Sequence, residues 1–542
     1  MSLQFDPLFQ KYPSVRYPVY ARGGMVNASS PQAAAAGLWA LRHGGNAMDA
    51  AAAAAAALTV CEPTANGIGG DAFALIWSEK DQKLFGLNSS GRAPALASME
   101  RVLGDGKAKD GKMPVYGWTP VTVPGAPKAW AEIVKLFGRL SLAEDLSQAV
   151  RYAREGYPAG PNLAFIWNNA FRIYSQYKDD PAFAGWFHTF APGGKIPKAG
   201  DLITLPHHAD TLEEIGATNA DSFYRGALAE KIDAQSRRFG GYLRLEDLAA
   251  HQADWVEPIS VNYRGFDICE IPPNGQGIAC LMALNILKEF AFEERDNPLT
   301  IHRQIEAMKM AFADAFRYVT DPTFMELDYH DLIHPEYGAT RASQMTDFAQ
   351  SYGSGLPAKS GTVYLCTADG EGNMVSFIQS NYNGFGSGMV IEDTGIALQN
   401  RGADFSLDPK AANCLQPGKR SYHTIIPGFL MEKGKPVGPF GVMGAYMQPQ
   451  GHLQVVTNAI DFHLDPQQCL NAPRWQWMRD GSVTVENGFH PAVAQGLQRM
   501  GHQVRTELSN HAFGRGQMIV RLENGTLVGG TEPRTDSNIA CF

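Results

Sequence analysis

Along the first two-thirds of this chain apolar positions recur mostly at helical spacing; along the last third they come in short runs between glycine-rich turns. Ser29-Ser30-Pro31 followed by QAAAAGLWALRH predicts a helix with a hydroxyl cap and a proline in its first turn. Gly44-Gly45 ends it, and Asn46 opens a second helix reaching Val60. Eight successive alanines from Ala50 let neighbouring backbones approach closely, so this second helix is expected in the core. The pattern predicts further helices over Ala126–Phe137, Leu142–Glu155 and Ile301–Thr320, and strands over Ala72–Trp77 and Leu84–Leu87. Ile259–Ile271 reads as strand. Residues 337–361 lose periodicity and gain Gly, Ser and Ala, which is loop composition. Residues 363–368 and Met374–Ser380 then read as two strands around the hairpin turn Asp369-Gly370-Glu371-Gly372-Asn373. Strands are expected at Gly395–Leu398, Thr424–Met431 and Pro436–Val442, and helices at Gln450–Asp461 and Pro491–Met500. A closing hairpin, Met518–Leu527, turns at Glu523-Asn524-Gly525.

Composition narrows the classes. A chain of 542 residues, 44% hydrophobic and 19% charged, is long enough for one very large core or several ordinary ones. A net charge of −9 argues against nucleic acid or an anionic membrane as the main partner. Seven scattered cysteines without a CxxC pair suggest reduced, mostly buried thiols. The first residues carry no charged stretch followed by an apolar one, so no signal peptide is expected, and the expected location is the cytoplasm.

Several familiar chemistries fail on context. The turn Asn66-Gly67-Ile68-Gly69-Gly70-Asp71 leads into a strand rather than a helix, which excludes a dinucleotide or P-loop reading and leaves a packing or pocket-lining turn. Gly384-Phe385-Gly386-Ser387-Gly388 also lacks the following helix. No HExxH is present, and His207-His208 cannot share a helical face. Asp328, His330, Asp331 and His334 come nearest to a ligand cluster, but Pro335 and the polar flanks suggest a surface turn; neither metal nor cofactor is expected. No GxSxG elbow stands between a strand and a helix. Thr362 remains. It opens a strand behind Ser360-Gly361, where its hydroxyl can attack the Gly361 carbonyl, and cleavage there would leave a threonine carrying its own α-amine as base.

Nine collinear segments sharpen this reading. They are NGIGGDAF from Asn66, SGRAP from Ser90, VTVPGA from Val121, GTVYLCTADGEGN from Gly361, GFGSGMV from Gly384, NRGADFS from Asn400, PGKRSYHTIIP from Pro417, GVMGAYMQPQGH from Gly441 and NAPRWQ from Asn471. Together they resemble the γ-glutamyltransferase family of N-terminal-nucleophile hydrolases. The resemblance implies an α/β (α+β) fold, a four-layer αββα sandwich. It also implies a precursor that cleaves itself into a large subunit, 1–361, and a small one, 362–542. Thr362 would attack an amide carbonyl with its α-amine as base; the ordinary pKa of about 7.7–8.0 for such an amine leaves part of it neutral near pH 7. Backbone N–H groups at Gly444-Ala445 match the family's oxyanion hole. Ser380 matches a threonine that bonds the nucleophile, and Asp404 matches the carboxylate that holds a glutamyl α-amino group.

The sequence also departs from the family's transferases. Val363 replaces their second threonine, and Ser90 stands where their arginine clamp does, with Arg92 nearby as a candidate clamp. Tyr382 replaces an asparagine, beside Asn381; Arg401 replaces a glutamine; His423-Thr424 replaces a serine pair; Ala445 replaces a glycine. The nucleophile is kept while the glutamyl-binding shell is rewritten. The expectation is therefore a self-processing amidohydrolase acting on a small acidic amide: oxamate-like, dicarboxylic or γ-glutamyl. Its added arginine and histidine would hold the acyl carboxylate. A true γ-glutamyltransferase and a catalytically silent binding protein are the alternatives. The partners implied are that small molecule and the chain's own two subunits, compatible with a homodimer of heterodimers.

Overall fold

The computed structural model describes residues 16–352, 361–478 and 480–542. Two seven-stranded antiparallel sheets form its centre. The first sheet runs in the order Asn538–Cys541, Gly24–Ala28, Gly361–Asp369, Met374–Tyr382, Asp71–Ser78, Lys83–Ser89, Asp254–Val256. The second runs Val19–Ala21, Leu527–Thr531, Arg515–Arg521, Lys435–Met443, Gly428–Glu432, Phe266–Glu270, Ile259–Tyr263. Between the sheets lie Phe73, Tyr364, Cys366 and Ile378 from one side and Cys269, Phe429, Met443 and Ile519 from the other. Alternation turns Val363, Leu365, Val375 and Phe377 outward, onto the alanine helix Ala47–Cys61 and its neighbours. On the far side, Ile268, Leu430, Val442 and Met518 face the helices Gly277–Leu287, Pro298–Tyr318 and Met447–Ile460. Helix, sheet, sheet, helix is the expected four-layer αββα order. The strands of Thr362 are buried on both faces, which is why they read as apolar runs and not as alternations.

The alanine helix begins where Asn46 caps it: its Oδ1 accepts from the N–H of Met48 (2.9 Å) and Asp49 (3.2 Å), and Asp49 accepts from the Asn46 N–H in return (2.7 Å). Asp49 also accepts the N–H of Arg139 and Leu140, which stitches this helix to the next segment. Its neighbour Asp145, on the helix Leu142–Glu155, is pushed up to about 9 by burial and by the charges of Asp49 and Glu144. Unfolded, that carboxyl ionises near 3.8; folded, it keeps its proton to about 9, so it costs stability progressively as pH rises between those values. Asp145→Asn should therefore match the parent near pH 4 and exceed it at pH 8 by a few kcal/mol at most, roughly 2–4 °C in melting temperature. Melting curves at the two pH values check this; a gain at pH 4 equal to that at pH 8 would remove the explanation.

Several expected elements change on folding. Ile259–Ile271 is a hairpin, turning at Arg264 and Gly265 with φ of +52° and +94°. Gly395–Leu398 makes only isolated bridges, and Thr424–Met431 becomes strand only from Gly428. The expected loop 337–361 begins inside the helix Pro335–Ala342, where Pro335 is the first helical residue behind His334. Residues 353–360, and the N-terminal stretch 1–15 on which the signal-peptide reading falls, lie outside the described residues. Among the described residues no helix is long and apolar enough to cross a membrane.

Candidate active site

Thr362 is the second residue of its strand, fully buried, and stands at a break in register. Gly361 faces Tyr382 but Val363 faces Gln379, so Ser380 and Asn381 together oppose Thr362 as a β-bulge. Tyr382 closes the bulge with φ of +75°, a left-handed backbone that an aromatic residue adopts only when its surroundings hold it there. The bulge brings Ser380 Oγ within 3.1 Å of Thr362 Oγ1, and the same Ser380 oxygen accepts the Tyr382 N–H at 2.7 Å. Asn381 turns to the other side. Its buried amide lies against the glycine turn, where a Cβ on Gly67 or Gly70 would crowd it at 2.8 and 3.1 Å.

The strand Lys435–Met443 packs on the strand of Thr362, and just after it Gly444 (φ +135°) and Ala445 (φ +54°) form the turn that opens the helix Met447–Ile460. Among the described residues, the N–H groups of Ala445 and Tyr446 meet no hydrogen-bond acceptor. Unclaimed donors at the start of a helix suit a developing negative charge. Gln276 fixes the turn from behind, donating to the carbonyls of Ala445 (2.8 Å) and Thr424 (2.6 Å).

A polar lattice extends from here. Asp71 pairs across the sheet with Ser380. Its carboxylate accepts from Arg401 Nε at 3.1 Å, Arg401 Nη2 at 3.4 Å and His423 Nε2 at 2.7 Å. Arg401 Nη1 donates to Thr424 Oγ1 at 2.6 Å, and the guanidinium lies 4.3 Å over the Tyr382 ring. Burial pushes the Asp71 carboxyl up, but Arg401 and His423 more than reverse this and hold it at about 2. Burial, then the Arg401 charge, lowers His423 to about 4, so its ring is neutral near pH 7. The Ile425 N–H points at His423 Nδ1 (3.3 Å), which puts the ring proton on Nε2, facing Asp71. Beyond Arg401, the hydroxyls of Tyr382 and Tyr446 both donate to Asp404 Oδ1 at 2.9 Å. Burial raises both Tyr446 and Tyr422, with the Asp404 charge second, so these phenols stay protonated.

The structure thus gathers Thr362, Ser380, Tyr382, Arg401, Asp404, His423, Thr424, Gly444 and Ala445 into one connected region. Arg92 stands elsewhere: half-exposed, it pairs with Asp321 (3.1 Å) and donates to the Gly418 carbonyl (3.0 Å). Sequence reasoning missed Asp71, Gln276 and Tyr446. Asp71 was legible only as the end of a glycine turn, because its partners lie more than three hundred positions away.

For metals, His330 and Asp328 form an exposed pair, while His302, Glu306 and His502 converge in the interior. Most of that trio's ligand atoms are already engaged: His302 Nε2 faces the Thr346 carbonyl (2.7 Å), its Nδ1 faces His502 Nε2 (2.8 Å), and Lys309 donates to Glu306 at 2.6 Å, while His502 Nδ1 is buried without a partner among the described residues. An ammonium already holding the carboxylate opposes a cation there.

Comparison with known proteins supplies context for this geometry. Residues 33–542 match the model of the family described as Gamma-glutamyltranspeptidase. The chain is 35% identical to a glutathione hydrolase-like YwrD proenzyme of Bacillus subtilis, covering 92% of this chain and 94% of that one. It is 34% identical to an oxamate amidohydrolase proenzyme of Klebsiella pneumoniae, over 96% and 98%. Among solved structures, a cephalosporin acylase from Bacillus halodurans superposes with a TM-score of 0.96 at 54% identity, over 100% of this chain and 99% of that one.

Proposed function

Because the chain belongs to the gamma-glutamyltranspeptidase family, as one of its amidohydrolases or acylases, we propose that Thr362 is its nucleophile and is unmasked by self-cleavage after Gly361. The observation that carries this reading is the buried Thr362 hydroxyl held 3.1 Å from Ser380 at a bulge, on a strand that packs against the one leading into the Gly444-Ala445 turn. Cleavage would give subunits 1–361 and 362–542. In turnover, the Thr362 oxygen attacks the substrate carbonyl carbon and its proton passes to the Thr362 α-amine. The oxyanion forms against the N–H groups of the Gly444-Ala445 turn. The amine proton then moves to the leaving nitrogen as the C–N bond breaks, leaving an ester on Thr362. Water, deprotonated by the same amine, attacks that ester, and as the ester C–O bond breaks the amine returns the proton to the Thr362 oxygen, releasing the acid and restoring the hydroxyl.

The acyl group we propose is short, with a polar far end resting among Tyr382, Thr424 and Asp404. Oxamate-like, dicarboxylic and γ-glutamyl groups all fit that description. One observation favours the γ-glutamyl alternative: two tyrosine hydroxyls orient the Asp404 carboxylate, which in that reading would accept the substrate's ammonium. Amine release from a γ-glutamyl anilide and a glutaryl anilide, with and without a dipeptide acceptor, separates the readings. Hydrolysis unaffected by acceptor is expected; strong acceptor stimulation would make the protein a transferase. No turnover of either anilide or of oxamate, by a properly cleaved protein, would favour the silent binding protein.

Ser380→Ala removes the hydroxyl beside Thr362 and the acceptor for the Tyr382 N–H. It should lower kcat about 10- to 100-fold with little change in KM, and slow self-cleavage similarly. Ser380→Thr should restore both to within about threefold. Steady-state kinetics and a gel time course check this; a KM effect alone would reassign Ser380 to substrate binding.

A further inference from the structure

Arg401 and His423 are the two groups that suggest an anionic acyl pocket in the sequence, yet each is already turned to Asp71. All three side chains are at most 1% exposed. Asp71 reaches them because the turn before it is pressed flat: a Cβ on Gly69 would meet the Ala397 carbonyl at 2.5 Å, and one on Gly70 the Ser380 carbonyl at 2.7 Å. The strand that starts at Asp71 pairs with the Ser380 strand, so the carboxylate sits one strand away from the residue that touches Thr362. From there it takes two guanidinium nitrogens and the histidine Nε2, and the third guanidinium nitrogen donates to Thr424.

We infer that Asp71 is a positioning residue that sets the acyl charge the site accepts, by holding Arg401 and His423 and cancelling the arginine's charge. The inference rests on the Thr362 reading for its place in the reaction, though not for its test. With a neutral His423, the Asp71–Arg401 pair carries no net charge. The far end of the acyl pocket then presents a threonine hydroxyl, a tyrosine ring and the Asp404 carboxylate, which takes up the Tyr382 and Tyr446 hydroxyls, in place of a free cation. A site built this way accepts short acyl groups with neutral or carboxylate ends at similar affinity. Removing the Asp71 charge while keeping its shape leaves a guanidinium buried without its counter-ion. In a low-dielectric interior such a group recruits the nearest anion, and the ligand is the anion that can reach it.

The test is a binding ratio that needs no turnover. Glutarate and pentanoate have the same chain and differ in a terminal carboxylate against a methyl. Their dissociation constants are measured by calorimetry on the purified wild type, Asp71→Asn, Arg401→Gln and the double variant. Wild type should bind the two within about fivefold of each other. Asp71→Asn should shift the ratio at least tenfold toward glutarate, a change worth about 1.4 kcal/mol. Arg401→Gln should shift it as far toward pentanoate, and the double variant should return to within about threefold of wild type. Asp71→Glu should restore the wild-type ratio. If Asp71→Asn does not fold, Arg401→Gln and the double variant still decide, because only charge cancellation makes the pair of changes milder than one. Ratios that stay at the wild-type value in every folded variant, with both acids weakened alike, would reduce Asp71 to a structural residue and overturn the inference. A wild type that hydrolyses no amide would instead count against the Thr362 reading and leave these ratios to be judged as they stand.

Discussion

Thr362→Ala should remain one chain of full length and lose amide hydrolysis by about 10⁴-fold or more. The change deletes one hydroxyl and one methyl group from a strand paired on both sides, so the fold should survive and the loss should be chemical. Ser380, the nearest hydroxyl, cannot replace it, since it lies inside a strand and cleavage gives it no amine. Thr362→Ser should keep both cleavage and turnover within about tenfold, because the amine and the attacking oxygen are retained. A denaturing gel and an anilide assay, run on the same preparations, read both effects. An alanine variant that still divides would move the cleavage chemistry to another residue.

The second large effect concerns stability and lies behind the Gly444-Ala445 turn, the proposed oxyanion site. Arg474 is buried, donates to the carbonyls of Phe513 (2.9 Å) and Gly514 (3.0 Å), and pairs with Glu532 (3.0 Å). Glu532 also pairs with Arg534, which bridges to Glu486, so four buried charges balance two against two. Gly514 is the residue on which the turn leans: a Cβ on Gly444 would lie 3.0 Å from its Cα. Arg474→Met keeps the volume but leaves an uneven buried charge and two carbonyls without their donor. The expected cost is about 3–5 kcal/mol. In a chain this long the melting entropy is large, so the melting temperature should fall by only about 3–5 °C. Folded protein should also lose roughly 10-fold or more in kcat as the turn shifts, since a displaced oxyanion donor is costly. Arg474→Lys should recover little, because one ammonium cannot span two carbonyls and a carboxylate. Unchanged melting with normal kcat would show that the turn stands without this support.

Local order was legible wherever the sequence carried its own start and stop signals. Pro31 behind Ser30, Asn46 with Asp49 three residues on, and the DGEGN turn gave elements close to those found. The amphipathic helices Ala126–Phe137 and Leu142–Glu155 fell where their periodicity put them. The failures have physical causes. Arg264 takes a left-handed backbone that arginine seldom signals, so the hairpin it closes looked like one strand. The loop reading of 337–361 overlooked Pro335 as a first-turn proline, which starts a helix running to Ala342. The β-bulge opposite Thr362 carries no glycine or proline to announce it, and only the register of the folded hairpin reveals it. Motif matching brought Arg401 and His423 into the candidate site but missed the carboxylate between them. That partner is contributed by a strand far back in the chain, and its meaning arises only when the segments carrying Arg401 and His423 fold against that strand.

The most direct test of the account is the identity of the residue that carries the acyl group. Freshly purified protein is mixed with a glutaryl anilide, quenched in acid during the burst of amine release, digested and mapped by mass spectrometry. The account predicts a fragment whose first residue is Thr362 and whose mass is increased by one acyl group, the increase lying on that threonine and disappearing on longer incubation. Acyl mass on any other residue, or a peptide that still joins Gly361 to Thr362 in active protein, would contradict it.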